Sequence, residues 1–491
     1  MRRRELAKGL LVSAGPVLLS REASAQTCTP PCFPQTPAES AASVTPTNTA
    51  YLPRPVIDAG RYGCDPSASA AVNTTAINNA LKVAANGPGG VVTLPPGQIS
   101  FNGTLYVGSN TVLMGVTRGF GVYYSTSLYY TGSGVAIQVG NAGALTSGFY
   151  SRLSDFTLKQ AGSGSIGIAI ATTQFALERV TVTAAASTGF SVAAIQTDPT
   201  ATCFAVLFRD VYCQGNAIGI DLPRGNNFTI DHCFLESNGY NLRVGNVAQC
   251  TNVTVGNGSA IELFGDGRND EMSTSIGINV YSCLGFACRD SYFEVAGSGA
   301  AGSSGQLGIN IQSASGVVIE GNYFYGGGQA TNAIYLQTVS GANVEGNHFN
   351  DFAGYGVKVA SAAIFEVGPN SYAVGPGIWD SSFTPTPTGL AVVNGTGGAT
   401  YTGKWGRANG RVHFTIQIAV TGTCTTASTA NSTYFDLSAL PTPSANDVTY
   451  AVSSTDVSSY GNGLVATNSR CYTPTWTAAN KSIVISGSYS A

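Results

Sequence analysis

Three residues in the middle of the chain have the types and spacing for acid–base chemistry: Asp210, Asp231 and His232. Two carboxyls beside an imidazole can give and take protons near neutral pH, and this chain holds only 3 histidines in all. Asp231 and Asp210 are therefore the acid and base candidates, with His232 as their partner. Around them stand Arg209, Glu236 and two aromatics, Tyr212 and Phe234, whose faces are of the kind on which sugar rings stack. Farther along, Arg289 and Tyr292 repeat the arginine-to-aromatic spacing and complete the candidates for holding a substrate. The plainer account of pairs such as Arg209 and Asp231 is a salt bridge at a solvated corner. A second charged group, GDGRNDEM, holds Asp266, Arg268, Asp270 and Glu271. Alternating Asp and Asn can ligate calcium, the one cofactor the chain suggests. The spacing is not that of an EF-hand, however, and a solvated loop is the simpler reading, so no metal ligand is assigned.

These residues reach one place only if the chain is periodic, and it is. A hexad recurs as LSDFTL from Leu153, LERVTV from Leu177, FRDVYC from Phe208, IDHCFL from Ile230, CTNVTV from Cys250, CRDSYF from Cys288, IEGNYF from Ile319 and VEGNHF from Val344. Uneven steps around a constant unit mean one solenoid coil per hexad, with corner loops of different length. Positions one, four and six are mostly apolar. The broken alternation at two and three implies a bend between two strands, because side chains along an unbroken strand alternate.

Position five then faces out, as Thr157, Thr181, Tyr212, Phe234, Thr254, Tyr292, Tyr323 and His348. Positions two and three carry the charges, with Glu178, Arg209, Asp231, Arg289, Glu320 and Glu345 in one column and Asp155, Arg179, Asp210, His232 and Asp290 in the next. Coils about 4.8 Å apart would turn each column into a ladder. Asn322 and Asn347, at position four, look like part of an asparagine ladder. A propeller blade needs about 40 residues or more, and a sandwich alone would lack the hexad.

Composition agrees with a repetitive β structure. Of 491 residues only 10% are charged, 61 are glycine, and the formal net charge is -3. No Lys/Arg cluster marks the region beyond the N-terminus, so nothing in the charge pattern favours a nucleic-acid partner. Residues 1–26 read as an export signal, with Arg2, Arg3 and Arg4 before an apolar run and Ala23-Ser24-Ala25 before Gln26. That run, broken by Pro16, falls short of the about 18 apolar residues of a span, so stable membrane insertion is not expected. The chain is expected outside the cytoplasm, secreted or periplasmic. Residues 27–55, rich in Pro, Thr, Ser and Ala, read as a disordered linker. The 11 cysteines fit an oxidising compartment, and Cys28 with Cys32, Cys283 with Cys288, and Cys424 with Cys471 are candidate bridges whose connectivity the sequence leaves open.

From Val56, VIDAGRYGC leads to VNTTAINNALKVAANGPGGVVTLPPGQISF. Asn73 or Thr74 can cap a short helix whose Ile77, Ala80, Leu81 and Ala84 share a face, followed by a strand from Val91 to Leu94. This stretch resembles the opening module of the pectate lyase superfamily, shared by rhamnogalacturonase-like enzymes and phage tailspikes. Asp58, Gly60, Gly63, Gly89, Gly90, Val92, Leu94, Pro95 and Gly97 fit its pattern, and Cys64 and Asn73 depart from it. The resemblance implies a single-stranded right-handed parallel β-helix over residues 56–380 and a polysaccharide partner, pectin-like or otherwise acidic. It does not fix the chemistry: the leading expectation is a glycoside hydrolase or polysaccharide lyase, its rival a non-catalytic adhesin or tailspike-like receptor binder, and the tailspike resemblance alone suggests a homotrimer.

Motifs of the known enzymes are missing. There is no Asn-Thr-Asp, Asp-Asp or Gly-His-Gly as in polygalacturonases and no Asp-Pro-His-Glu as in mannuronan epimerases. GVTRGFG after Met114 lacks the Lys-Ser/Thr of a phosphate loop and reads as a turn. Beyond Tyr372 the hexad stops, and PTPTGLAVVNGTGG reads as a connection to a small antiparallel β-sandwich at 395–491. YTGKWGRANGRVHFTIQI there resembles modules at the ends of phage tail fibres, which bind glycan or hold a trimer together. Trp405 could stack on a sugar, although a core position is the plainer reading.

Overall fold

The computed structural model describes residues 35–46, 56–86, 89–118, 125–141, 143, 149–161, 164–184, 192–263, 276–294, 307–328, 330, 332–352, 355–359, 364–368, 370–372, 381–393, 396–408, 411–440, 443–444, 446–454 and 459–490. Between Val56 and Tyr372 the described residues wind a right-handed parallel β-helix, and the 29 strands among them form one parallel sheet in which each coil pairs with the coils before and after it. The expected export signal at 1–26 and the candidate Cys28–Cys32 bridge lie outside the described residues.

The hexad explains the winding. Positions one, four and six face the core: Phe208, Val211 and Cys213 on one coil, and Ile230, Cys233 and Leu235 on the next, are each at most 1% exposed. Position three is the bend, because Asp155, Arg179, Asp210, His232 and Asp290 all have φ between 47° and 64°. Left-handed backbone reverses the alternation there, and Asp, Asn and His are the non-glycine types that tolerate it best. In the last two hexads glycine takes the position, as Gly321 and Gly346.

One unit is out of register. Cys250 pairs with Gly225 and Cys283, not with the hexad positions expected of it, and Ile230 pairs with Val255. The reason is a second left-handed bend earlier in each coil, at Ala205, Asn227, Asn252 and Gly285. It too is flanked by inward apolar residues, so CTNVTV copies the hexad while lying on another corner. The position-five residue of this coil is accordingly Ala260 and not Thr254, since Ala260 pairs with both Phe234 and Tyr292.

The coil is capped by a helix, α2, over Ala70–Asn86, which buries Ile77, Ala80, Leu81 and Ala84 as expected. It starts earlier than Asn73, at Ser69, whose hydroxyl accepts from the Val72 amide. Asn73 is instead buried, accepting from Asp65 N and donating to Ser100 O, and so ties the helix to the first coil. The linker expectation is corrected at 35–46. There Pro37–Ala41 forms a short helix, α1, closed by a capping box between Thr36 and Glu39. Glu39, 1% exposed, meets Arg61 Nε at 2.8 Å and accepts from Tyr62 OH at 2.6 Å. Burial pushes its carboxyl up, but the bonds from Arg61, Thr36 and Tyr62 together hold it below the ordinary value.

The asparagine ladder is present and longer than expected. Asn322 N donates to Asn347 Oδ1 at 3.0 Å, and Asn347 N to Asn370 Oδ1 at 2.8 Å. Beside it the rings of Phe293, Phe324 and Phe349 stack through the core. The cysteines of the helix belong to this core. Cys283 and Cys288 form no bridge but stand as separate inward thiols, with Cys203, Cys213, Cys233 and Cys250. Burial pushes Cys233 and Cys288 up to about 12, far from a reactive thiolate.

The described residues of 381–490 build an antiparallel domain of a nine-stranded and a three-stranded sheet. The stretch PTPTGLAVVNGTGG is not merely a connection, since Thr386–Thr388 and Ala391–Val393 pair with strands of these sheets. Trp405, 4% exposed, is core.

Candidate functional site

After each bend comes a three-residue strand whose middle residue is buried and whose outer two face out: Tyr212–Gln214, Phe234–Glu236, Ala260–Glu262, Tyr292–Glu294, Tyr323–Tyr325 and His348–Asn350. Their registers make two columns on the flank. The first is aromatic. Tyr212 stacks on Phe234 with centroids 5.2 Å apart, Ala260 interrupts, and Tyr292, Tyr323 and His348 stack in turn at 5.7 and 5.0 Å. The second column runs Gln214, Glu236, Glu262, Glu294.

On the other side of the aromatic column lies the bend. Asp210 Oδ1 and His232 Nδ1, from adjacent coils, are hydrogen-bonded. With Tyr212, Phe234, Thr181 and Arg118 they line a pocket of about 380 Å³. Asp231 is not brought into it. Its carboxylate takes Arg209 Nε at 2.8 Å and Asn257 Nδ2 at 2.8 Å, the ladder salt bridge that the plainer reading foresaw. Burial raises its pKa, but the bonds from Asn257 and Arg209 outweigh that and leave it below the usual carboxylate range. An ionised, twice-bonded carboxylate is a poor proton donor. Arg289 likewise sits on the outer corner, 3.2 Å from Glu320, away from the pocket lining.

Glu236 is joined to the pocket through its floor, since Tyr212 OH donates to Glu236 Oε2 at 2.5 Å. Tyr292 OH donates to Glu294 at 2.6 Å, within its own strand and not across to the next coil. Burial and the adjoining carboxylates push both phenols up, so each stays a proton donor. Between these pairs, where Ala260 replaces the aromatic ring, Glu262 has no side-chain hydrogen bond among the described residues. Burial, then the charges of Glu294 and Glu236, push its carboxyl up to about 7. A carboxyl at that value is part proton donor and part base at neutral pH.

Sequence reasoning missed Glu262 and Arg118. The first carried a signal, the recurring Glu just after the hexad in FLE, AIE and YFE, hidden by the register error at Cys250. The second lies in GVTRGFG, read as a turn; its Nη1 bonds the Asp210 carbonyl. Among the described residues no group of three His, Cys, Asp or Glu side chains is placed to hold a metal ion, and the GDGRNDEM loop lies outside them. No described helix is long and apolar enough to cross a membrane.

No family model and no curated relative matches this chain. Solved structures do. The A-module of the mannuronan C-5 epimerase AlgE4 of Azotobacter vinelandii is 16% identical, with a TM-score of 0.46 over 64% of this chain and 95% of that one. The enzymatically active domain of tailspike protein 2 of bacteriophage CBA120 is 13% identical, with a TM-score of 0.47 over 88% of this chain and 72% of that one. The surface adhesin PfbA of Streptococcus pneumoniae is also 13% identical, with a TM-score of 0.43 over 66% and 92%.

Proposed function

We propose that this chain is a polysaccharide-cleaving enzyme that lays a glycan along the aromatic column. The observation that carries the reading is the stacked Tyr212–Phe234 platform with proton-handling groups on both sides, Asp210–His232 at the bend and Glu262 in the acidic column. A sugar stacked there has an acid on one flank and a base on the other, the arrangement that breaking a glycosidic bond needs. Glu262 gives its proton to the leaving oxygen. Water attacks the anomeric carbon, and its proton passes to Asp210, which His232 orients. The resemblance of the opening module to the pectate lyase superfamily supports a polysaccharide as substrate, and the arginine-led N-terminal segment supports action outside the cytoplasm.

The test is incubation with a panel of acidic and neutral polysaccharides, following new reducing ends and the ultraviolet absorbance of unsaturated uronates. Reducing ends without unsaturation are expected. Unsaturation would make the chain a lyase, and binding without either would make it a binder. One feature favours the binder: Asp210, Asp231, Glu236 and Glu294 already hold partners within the protein. Loss of turnover in Asp210→Asn and Glu262→Gln, with binding retained, decides for the enzyme.

A further inference from the structure

The aromatic column does not run the length of the helix. Toward the N-terminus its register continues through Thr181, Thr157 and Ser127. These residues face out, because Val180 and Val182, Phe156 and Leu158 on either side of two of them fill the core. Yet Thr181 is 5% exposed, Thr157 0% and Ser127 6%. An outward side chain reaches such burial only when other parts of the protein stand over it. The flank is thus higher above these coils than above Tyr212, and Tyr212 is the first rung open to solvent. Toward the C-terminus the column stays open, and Tyr323 is 36% exposed.

Arg118 marks the step. It follows the strand Thr111–Met114 near the top of the helix, yet its guanidinium reaches down to the Asp210 carbonyl and lines the pocket beside Thr181. Among the described residues, Arg118 is the one lysine or arginine in that lining. One of its N–H groups is spent on the carbonyl, which leaves others of its five donors for a ligand.

We infer that the groove is blind at its N-terminal end, so that the protein engages a polysaccharide by a chain end and Arg118 holds the terminal sugar. This rests on the reading of the flank as a glycan site. A polymer passing through would have to climb over the covered coils, whereas a terminus stacked on Tyr212 and Phe234 meets Arg118 and Thr181 as a wall. Cleavage then proceeds from the end, releasing one short product at each event.

The experiment follows product sizes and solution viscosity during the first few per cent of cleavage of a polymer that the protein degrades. One short product from the earliest samples, with viscosity falling slowly, is expected. A ladder of sizes with an early fall in viscosity would overturn the inference while leaving the proposed enzyme standing. No cleavage and no binding on any polymer would sink the proposed function itself. If the protein binds without cutting, oligosaccharides capped at one or the other end replace the polymer. One cap is then expected to cost about tenfold or more in affinity, and equal binding of both capped forms would overturn the inference. Arg118→Ala is expected to raise KM about tenfold with a smaller change in kcat, and to add internal cleavage products. Arg118→Lys, which keeps the charge, should recover the end-product pattern in part. An unchanged KM and product pattern in a folded Arg118→Ala protein would remove Arg118 from the assignment.

Discussion

Ala260 and Glu262 point outward from one three-residue strand, so the aromatic column is interrupted directly beside the carboxyl of the acidic column that no tyrosine hydroxyl holds. On the coil before, Glu236 is held by Tyr212 of the coil preceding it, and on the coil after, Glu294 is held by Tyr292 of its own strand. Ala260 of its own strand and Phe234 of the coil before both lack a hydroxyl, which leaves Glu262 between two carboxylates. Glu262 is raised for that reason as well as by burial.

The pH dependence follows from that. As a proton donor with a pKa near 7, Glu262 supports turnover below that value and loses its proton as pH rises through it. Turnover is expected to fall on the alkaline side with an apparent pKa near 7, and Glu262→Gln is expected to lower kcat about a hundredfold or more. Stability moves with the same sign. The folded state binds a proton here that the unfolded chain has already released, so this group makes unfolding easier as pH rises from about 4.5 through 7. Glu262→Gln should therefore raise the melting temperature at pH 8 more than at pH 4. The gain is on the order of 1 kcal/mol after allowance for solvent screening, and thermal melts at the two pH values would check it.

Asp210 and Asp231 are expected to part company. Asp210→Asn should lower kcat by about a hundredfold or more with far-ultraviolet circular dichroism unchanged. Asp231→Asn weakens the surface pair with Arg209 and the bond from Asn257, and should cost about 1 kcal/mol. Its turnover should stay within about threefold of the parent, the ordinary scatter of an indirect effect. Steady-state kinetics on the two variants separates these outcomes, and equal losses would return Asp231 to the site.

How much of this was legible beforehand depends on which residues announce themselves by pattern. The coil was visible because inward positions such as Phe208 and Ile230 recur at fixed distance from a bend. The meeting of Asp210 with His232 followed from the same register. Hidden from the sequence was which of two look-alike bends CTNVTV occupies, since Asn252 and Asn257 both adopt left-handed backbone. That ambiguity concealed Ala260 and Glu262 together. Arg118 was beyond reach for another reason. Its partner lies 92 residues away, and no period connects a corner loop to the coil it touches.

Asn347 tests the stacking itself. Its side-chain oxygen accepts from Asn322 N and Nδ2, while its amide group donates to Ile319 O, Glu345 O and Asn370 Oδ1. Asn347→Ala leaves several buried groups without partners at once and should cost about 2 to 4 kcal/mol. Chemical denaturation would show it as a lowered midpoint with the slope unchanged.

Filling the gap in the aromatic column probes site and fold in opposite directions. Ala260→Tyr places a ring between Phe234 and Tyr292, in register with both. Cross-strand aromatic contacts of this kind add about 0.2 to 1 kcal/mol, so the variant should be as stable as the parent or more so. The new hydroxyl would stand two residues before Glu262, as that of Tyr292 stands before Glu294, and it should hold Glu262 in the same way. Glu262 would then ionise at lower pH, and the ring would stand where a leaving oxygen must approach. Turnover at neutral pH is expected to drop about tenfold or more, with the alkaline limb of the pH profile moved to lower pH. Ala260→Ser, too short to reach across, should change neither quantity appreciably. If Ala260→Tyr kept full turnover with an unshifted profile, Glu262 would not be the proton donor.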